Sequence, residues 1–230
     1  SQGNPNLKPS DHYNLDLKWD FNPTPTELIS LTAFYKLIKN PISRIEVASA
    51  GGYLSYENIA DKATVAGVEI EIRKNLFVRP VSNAAHGMNK LSLGLNGSYI
   101  YTNAKMPLAT VTTGSQLEGA APWIVNFDLS HNFTKGERSF VNTLVLNYVS
   151  DKIYTIGTQG YQDIMEQGVL TLDFVSQAKL NKHLSLNLKA RNLLNPSYKL
   201  SRKANENGEK VILNDYKKGI NISLGVSCTF

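Results

Sequence analysis

The sequence holds one cysteine, Cys228, so no intrachain disulfide can form, and no Cys/His spacing resembles a zinc site. No stretch approaches the roughly 18 consecutive apolar residues of a membrane helix, and no charged-then-apolar signal opens the chain. Charged residues make up 19%, low for a soluble protein, and the 24 basic and 19 acidic residues are interspersed without a run. The net charge of +5 is therefore no signal for nucleic acid. Helical periodicity, a fixed-period repeat and low-complexity tracts are all absent. Hydrophobic content of 42% argues against wholesale disorder. At 230 residues one domain is expected. The opening Ser1, Gln2, Gly3, Asn4, Pro5 reads as the middle of a loop, so a piece of something longer is expected.

What the chain does have is alternation with period two, which puts one set of side chains on each face of an extended strand. Tyr13, Leu15, Leu17, Trp19 and Phe21 alternate with His12, Asn14, Asp16, Lys18 and Asp20. Ile220, Ile222, Leu224, Val226, Cys228 and Phe230 alternate with polar or small partners to the carboxyl terminus. Between them lie Ile29 to Leu37, Ala66 to Arg73, Leu91 to Tyr101, Trp123 to Phe133, Phe140 to Ser150, Leu170 to Leu180 and Leu184 to Arg191. The pattern predicts about nine strands.

The links between these strands alternate short and long. Short ones fall at Asn22 to Thr26, Pro80 to Asn89, Thr134 to Arg138 and Asn181 to His183. Long ones cover Lys39 to Lys62, Asn103 to Pro122, Asp151 to Gly168 and Asn195 to Lys218, and Arg44 to Tyr56 is expected to form a hairpin bending at Ala50, Gly51 and Gly52. This sorting puts every short turn at one end and every long loop at the other, as in outer-membrane barrels. Aromatics near strand ends (Tyr13, Trp19, Phe21, Tyr99, Tyr101, Trp123, Phe133, Tyr148) fit interfacial girdles, although strands favour aromatics anyway.

Several stretches resemble the C-terminal half of the barrel in TonB-dependent receptors. Asn4, Pro5, Asn6, Leu7, Lys8, Pro9 is similar to the family's "NP-x-LKPE" segment, with Ser10 where Glu is usual. Asn58 and Ile59 ahead of Ala66, Gly67, Val68, Glu69, Ile70, Glu71 resemble its "N...A...G-V-E" strand. Gly119 to Trp123 fills the place of a Pro-containing strand entry, and Arg191 to Tyr198 resembles the "v-x-NLf-d-x-x-Y" segment. The resemblance implies an all-β, antiparallel transmembrane barrel segment, with residues 1–230 as the C-terminal part of a receptor barrel and the plug domain absent. It also implies energy-coupled uptake of a scarce solute (iron chelate, cobalamin, saccharide or peptide), with no enzyme activity and no cofactor. Implied partners are the solute, outer-membrane lipid and lipopolysaccharide, TonB acting through a plug, and the barrel assembly machinery. That machinery would read Leu224, Val226, Cys228 and Phe230 as its signal.

The residues themselves offer little chemistry. Glu69, Glu71 and Arg73 share the polar face of one strand, which in a barrel lines the lumen. Paired carboxylates suit acid/base work, but a polar lumen carries charges for solvation, and that is the preferred reading. His12, His86, His131 and His183 have no spacing that would gather them, and an interfacial role explains His131 at an otherwise apolar position. Gly67 and Gly94 are expected to serve strand bending or close plug contact, since no helix follows them. Glu118 and the pair Asp61, Lys62 fall in outer loops. Lys199, Arg202, Lys203, Lys210, Lys217 and Lys218 make the last outer loop basic, with Glu206, Glu209 and Asp215 mixed in; a solvated loop is preferred over one meeting anionic ligand or lipopolysaccharide. Two alternatives remain: a passive outer-membrane barrel or adhesin, and a soluble secreted β-sandwich.

Overall fold

A computed structural model describes residues 3–47, 53–81, 87–106, 116–158, 160–204 and 208–229. Among them the strands are β1 (Asp11–Phe21), β2 (Leu28–Lys39), β3 (Ile42–Val47), β4 (Tyr53–Asn58), β5 (Lys62–Pro80), β6 (Met88–Ala104), β7 (Trp123–Lys135), β8 (Arg138–Val149), β9 (Lys152–Thr155), β10 (Ile164–Glu166), β11 (Val169–Lys179), β12 (Leu184–Arg191), β13 (Ser197–Lys203), β14 (Lys210–Lys217) and β15 (Asn221–Cys228). Nine of them form one antiparallel meander in the order β1-β2-β5-β6-β7-β8-β11-β12-β15. These are the nine strands that the alternation predicts. The remaining six lie inside the long links, as a two-stranded β3-β4 hairpin and a four-stranded sheet β14-β13-β10-β9.

Register carries the alternation across the whole sheet. Phe21, Ile29, Ile72, Leu95, Phe127, Leu146 and Leu172 are successive cross-strand partners, an apolar row seven strands wide. A neighbouring row on the other face runs Asp20, Ser30, Glu71, Asn96, Asn126, Asn147, Thr171 and is polar throughout. In β5 the alternation lapses after Arg73 because a bulge between Asn75 and Phe77 inserts Leu76. The strand nevertheless continues to Pro80.

Among the described residues the apolar face has no second sheet against it. Leu17 is 74% exposed, and Leu224 71%. A sandwich would cover such residues with a facing sheet about 10 Å away. A transmembrane barrel instead turns them to hydrocarbon, and the chain is an antiparallel β-barrel segment of that kind. Aromatic pairs mark its two borders, with Tyr99 and Trp123 4.6 Å apart by ring centroids toward the long loops and Phe133 and Phe140 6.4 Å apart toward the short turns. The ten steps from Trp123 to Phe133 span about 33 Å at ~3.3 Å each. At a tilt of about 40° that projects to roughly 25 Å, the height of the apolar band in such barrels.

The buried cluster lies at the long-loop end. Ile45, Ile59, Ala60, Leu117, Ile153 and Ile156 from three loops pack with Ala63 and Ala104, each 1% exposed. Ala63 and Ala104 face each other across β5 and β6 on the polar-face parity, as do Val65 and Thr102. The loops therefore fold inward, over the same face that carries Glu69 and Glu71.

Candidate functional site

The site has a wall and a cap. Along the wall, Glu69 stands between Thr32 and Ser98, Glu71 between Ser30 and Asn96, and Arg73 between Leu28 and Gly94. Arg73 and Glu71 form an ion pair at 2.6 Å, with Arg73 largely exposed. Side-chain bonds link neighbouring strands on this face: Asn126 Nδ2 donates to Asn96 Oδ1 at 3.3 Å, and the Ser130 and Thr143 hydroxyls lie 3.0 Å apart. Glu69, Glu71 and Arg73 thus share one polar surface as expected. The two glycines lie close to neighbours within the sheet: a Cβ on Gly94 would fall 2.1 Å from Asp128 Oδ1, and one on Gly67 would fall 2.4 Å from both the Phe34 ring and the Tyr99 carbonyl. The absent side chains make room for these partners within the sheet.

The cap is built by charges that join different loops. The Arg44 amide donates to Glu118 Oε2 at 2.6 Å, and its guanidinium pairs with Glu118 Oε1 at 3.1 Å. The same guanidinium lies 3.8 Å from the centre of the Tyr154 ring, and its Nε donates to the Tyr154 carbonyl at 3.0 Å. Glu46 pairs with Arg202, and its carbonyl accepts from the Thr158 hydroxyl. Lys152 and Glu166 pair at 3.3 Å. A parallel bridge joins Ile45 to Ile156. Arg44, Glu46, Glu118 and Arg202 all have side chains about four-fifths covered, where pairs are screened less than on an open surface. Inside the cap Glu118 is thus paired with Arg44, and Arg202 with Glu46, the latter against the expectation that the last loop is merely solvated. Of the other basic residues in the last loop, Lys199 pairs with Asp215 at 3.6 Å, and the Lys218 ammonium lies 3.9 Å from the centre of the Tyr198 ring.

The quoted motifs turn out to be clasps. Lys8 N–H donates to Asn58 Oδ1 at 2.8 Å, while Asn58 Nδ2 donates to the Lys8 and Asn40 carbonyls at 3.0 and 2.9 Å. This joins the opening segment to the first long loop. At the other end of the chain Asn192 and Asn195 adopt left-handed φ of 58° and 43°. Asn192 N–H donates to Asp173 Oδ1 at 2.8 Å, its Nδ2 to the Gly219 carbonyl at 2.7 Å, and Gly219 N–H to Asn195 Oδ1 at 3.0 Å. Two clefts open beside these features. One of about 350 Å³ is lined by Asn4, Lys8, Asn40, Asn58, Asp61 and Lys105. Another of about 310 Å³ is lined by Tyr154, Glu166, Tyr198, Lys199, Asn214 and Tyr216. A third of about 220 Å³ shares Glu166 and Tyr198 and reaches Asn147 and Thr171 on the polar wall.

Leu224, Val226 and Cys228 are exposed on the edge strand β15, opposite Leu188, Leu186 and Leu184. Phe230, like His86, Glu206 and the hairpin bend at Ala50 to Gly52, lies outside the described residues. Among the described residues no three His, Cys, Asp or Glu side chains gather as a metal site, and no helix is long and apolar enough to cross a membrane. His131 Nε2 lies 2.8 Å from Asn89 Oδ1, and His183 Nδ1 lies 2.7 Å from the Thr229 carbonyl.

A family model described as "TonB dependent receptor-like, beta-barrel" matches residues 1–193. No curated protein and no solved structure matches the chain.

Proposed function

Since this chain belongs to the TonB-dependent receptor-like β-barrel family, a family of transporters and receptors of the bacterial outer membrane, we propose that it forms the C-terminal part of a barrel that captures a scarce solute and admits it by energy-coupled uptake. The observation that supports this most is the sidedness of the fold. At one end ion pairs join three of the long links, and hydrogen bonds and a parallel bridge tie in the fourth, over the polar face; at the other end the links between consecutive strands are short in sequence. A receptor that must hold a solute has use for such an inward-folded cap.

In this reading Glu69, Glu71 and Arg73 face the lumen, where they would meet a plug domain carrying the TonB contact. The solute, whether iron chelate, cobalamin, saccharide or peptide, would meet the cap clefts. Leu224, Val226, Cys228 and Phe230 would carry the signal read by the assembly machinery, and lipopolysaccharide would surround the outer ends of the strands. Nine strands are under half of the roughly 22 in large transporter barrels, so β1 and β15 would pair with further strands of the same protein.

The test is to purify the full-length protein from outer membranes, compare its migration with and without boiling, and cross-link it to TonB. A compact heat-sensitive band and a TonB adduct are expected. A compact barrel giving no TonB adduct would indicate a passive pore or adhesin and overturn the proposal.

A further inference from the structure

The face turned to lipid carries a polar interruption. Asn89, His131, Asn142 and Ser176 stand at positions whose neighbours on the same face are Leu91, Leu129, Leu144 and Phe174. Three of them form one lateral row, His131 beside Asn142 and Asn142 beside Ser176. His131 Nε2 lies 2.8 Å from Asn89 Oδ1, and the Ser176 hydroxyl donates to Asn142 Oδ1 at 2.7 Å. Both bonds use the amide oxygens. The Nδ2 groups of Asn89 and Asn142 have no acceptor among the described residues. Water does not satisfy such donors in hydrocarbon, and leaving them unmade is costly, so their acceptors come from outside the described residues.

The next positions toward the short turns supply a matching charge. Phe133 pairs with Phe140, and one step beyond them Lys135 stands opposite Arg138, both exposed and on the same face as His131 and Asn142. Neither cation has an ion-pair partner among the described residues. From Lys135 to His131 is four residues, about 13 Å along the strand and roughly 10 Å in depth at a tilt near 40°. Running inward from water, the order is cations, then the aromatic rings with the Asn89 amide level with them, then the Asn142 amide. A glycerophospholipid presents phosphate first and ester carbonyls next, and flexible Lys and Arg stems can follow its headgroup.

We propose that this strip of β6, β7, β8 and β11 binds one anionic glycerophospholipid of the periplasmic leaflet. Lys135 and Arg138 hold the phosphate, and the Asn89 and Asn142 amides donate to the ester carbonyls. His131 positions Asn89 by occupying its oxygen. A second copy of the chain fits this surface less well, because a two-fold contact there would bring two unpaired cation pairs toward each other. The inference rests on placement in the outer membrane and holds whether or not the barrel takes up solute.

The experiment is native mass spectrometry of the full-length protein in mild detergent, with phosphatidylglycerol and then phosphatidylethanolamine as the added probe. One phosphatidylglycerol is expected to be retained about tenfold more tightly than phosphatidylethanolamine. Lys135→Gln with Arg138→Gln should remove that preference, and Asn89→Leu with Asn142→Leu should weaken both lipids about tenfold. Heat-modifiable migration reports that each variant is folded. If the double leucine variant does not fold, Asn142→Leu alone, which makes the face more apolar, carries the same readout. Equal retention of the two lipids by the wild type, or unchanged retention in the folded variants, overturns the proposal. So does a wild-type dimer that Asn142→Leu converts to monomer without altering lipid retention.

Discussion

At the scale of single residues, Arg44 shows how the cap is held. Its guanidinium is shared between the Glu118 carboxylate, the Tyr154 carbonyl and the Tyr154 ring, and its own carbonyl accepts from Ile156 N–H at 3.1 Å. Three long links thus converge on one side chain. Arg44→Met keeps much of the bulk but leaves Glu118 partly buried without its cation, at a cost of about 1–3 kcal/mol. The amides of Glu46 and Ile156 should then exchange hydrogen about tenfold faster or more, while the barrel still migrates as a heat-modifiable band. Unchanged exchange at those amides would mean that the apolar cluster alone holds the loops. No local sequence pattern announces this arrangement, because Arg44 and Glu118 are 74 residues apart and Glu46 and Arg202 are 156 apart. By contrast Glu69, Glu71 and Arg73 were legible as a set, since period two within one strand fixes their common face.

Elements divide in the same way. The nine long strands were visible because each presents alternation over most of its length, and register then extends it sideways. Of the six strands inside the long links, only the β3–β4 hairpin was anticipated; β9 has four residues and β10 three, too short for a period to appear. Their partners come from elsewhere in the chain, as when Met165 pairs with Ser201. The lipid-facing assignment predicts a depth-dependent penalty. Leu129→Arg, midway along the apolar side of β7, should cost about 2–4 kcal/mol, and Ser130→Arg on the opposite face much less. Urea titration of the full-length protein refolded into lipid vesicles measures both. Equal penalties would contradict the assignment.

The first short turn makes its own prediction with pH. Glu27 is buried, and its carboxylate accepts from Asn75 N–H at 3.0 Å with the Lys74 ammonium 3.5 Å away. The Asn75 bond, helped by Lys74, holds the Glu27 carboxyl below the ordinary glutamate value of 4.5, although burial opposes the shift. A carboxyl lowered in the folded state stabilises it above the ordinary value. That contribution is lost as pH falls below 4.5 through the lowered folded value. Glu27→Gln should therefore remove part of the acid destabilisation in that window, measured by urea midpoints from neutral pH down to acid. An identical pH profile for wild type and variant would count against the bond.

For the whole molecule, one sheet serves two solvents. Its apolar face is bare because hydrocarbon covers it, its polar face carries charge and amides, and its buried cluster sits where the long links fold over the polar side. Those three facts require each other only if the sheet is the wall of a membrane barrel. The most direct test is a labelling scan of residues 123–133 in the full-length protein in outer membranes, with Cys228 replaced first and one spin-labelled cysteine introduced at a time. Oxygen, which concentrates in lipid, should relax the labels at 125, 127 and 129, and a water-soluble nickel chelate those at 126, 128 and 130. Labels at 125, 127 and 129 shielded from both agents, as in a sheet buried against protein, would contradict the barrel.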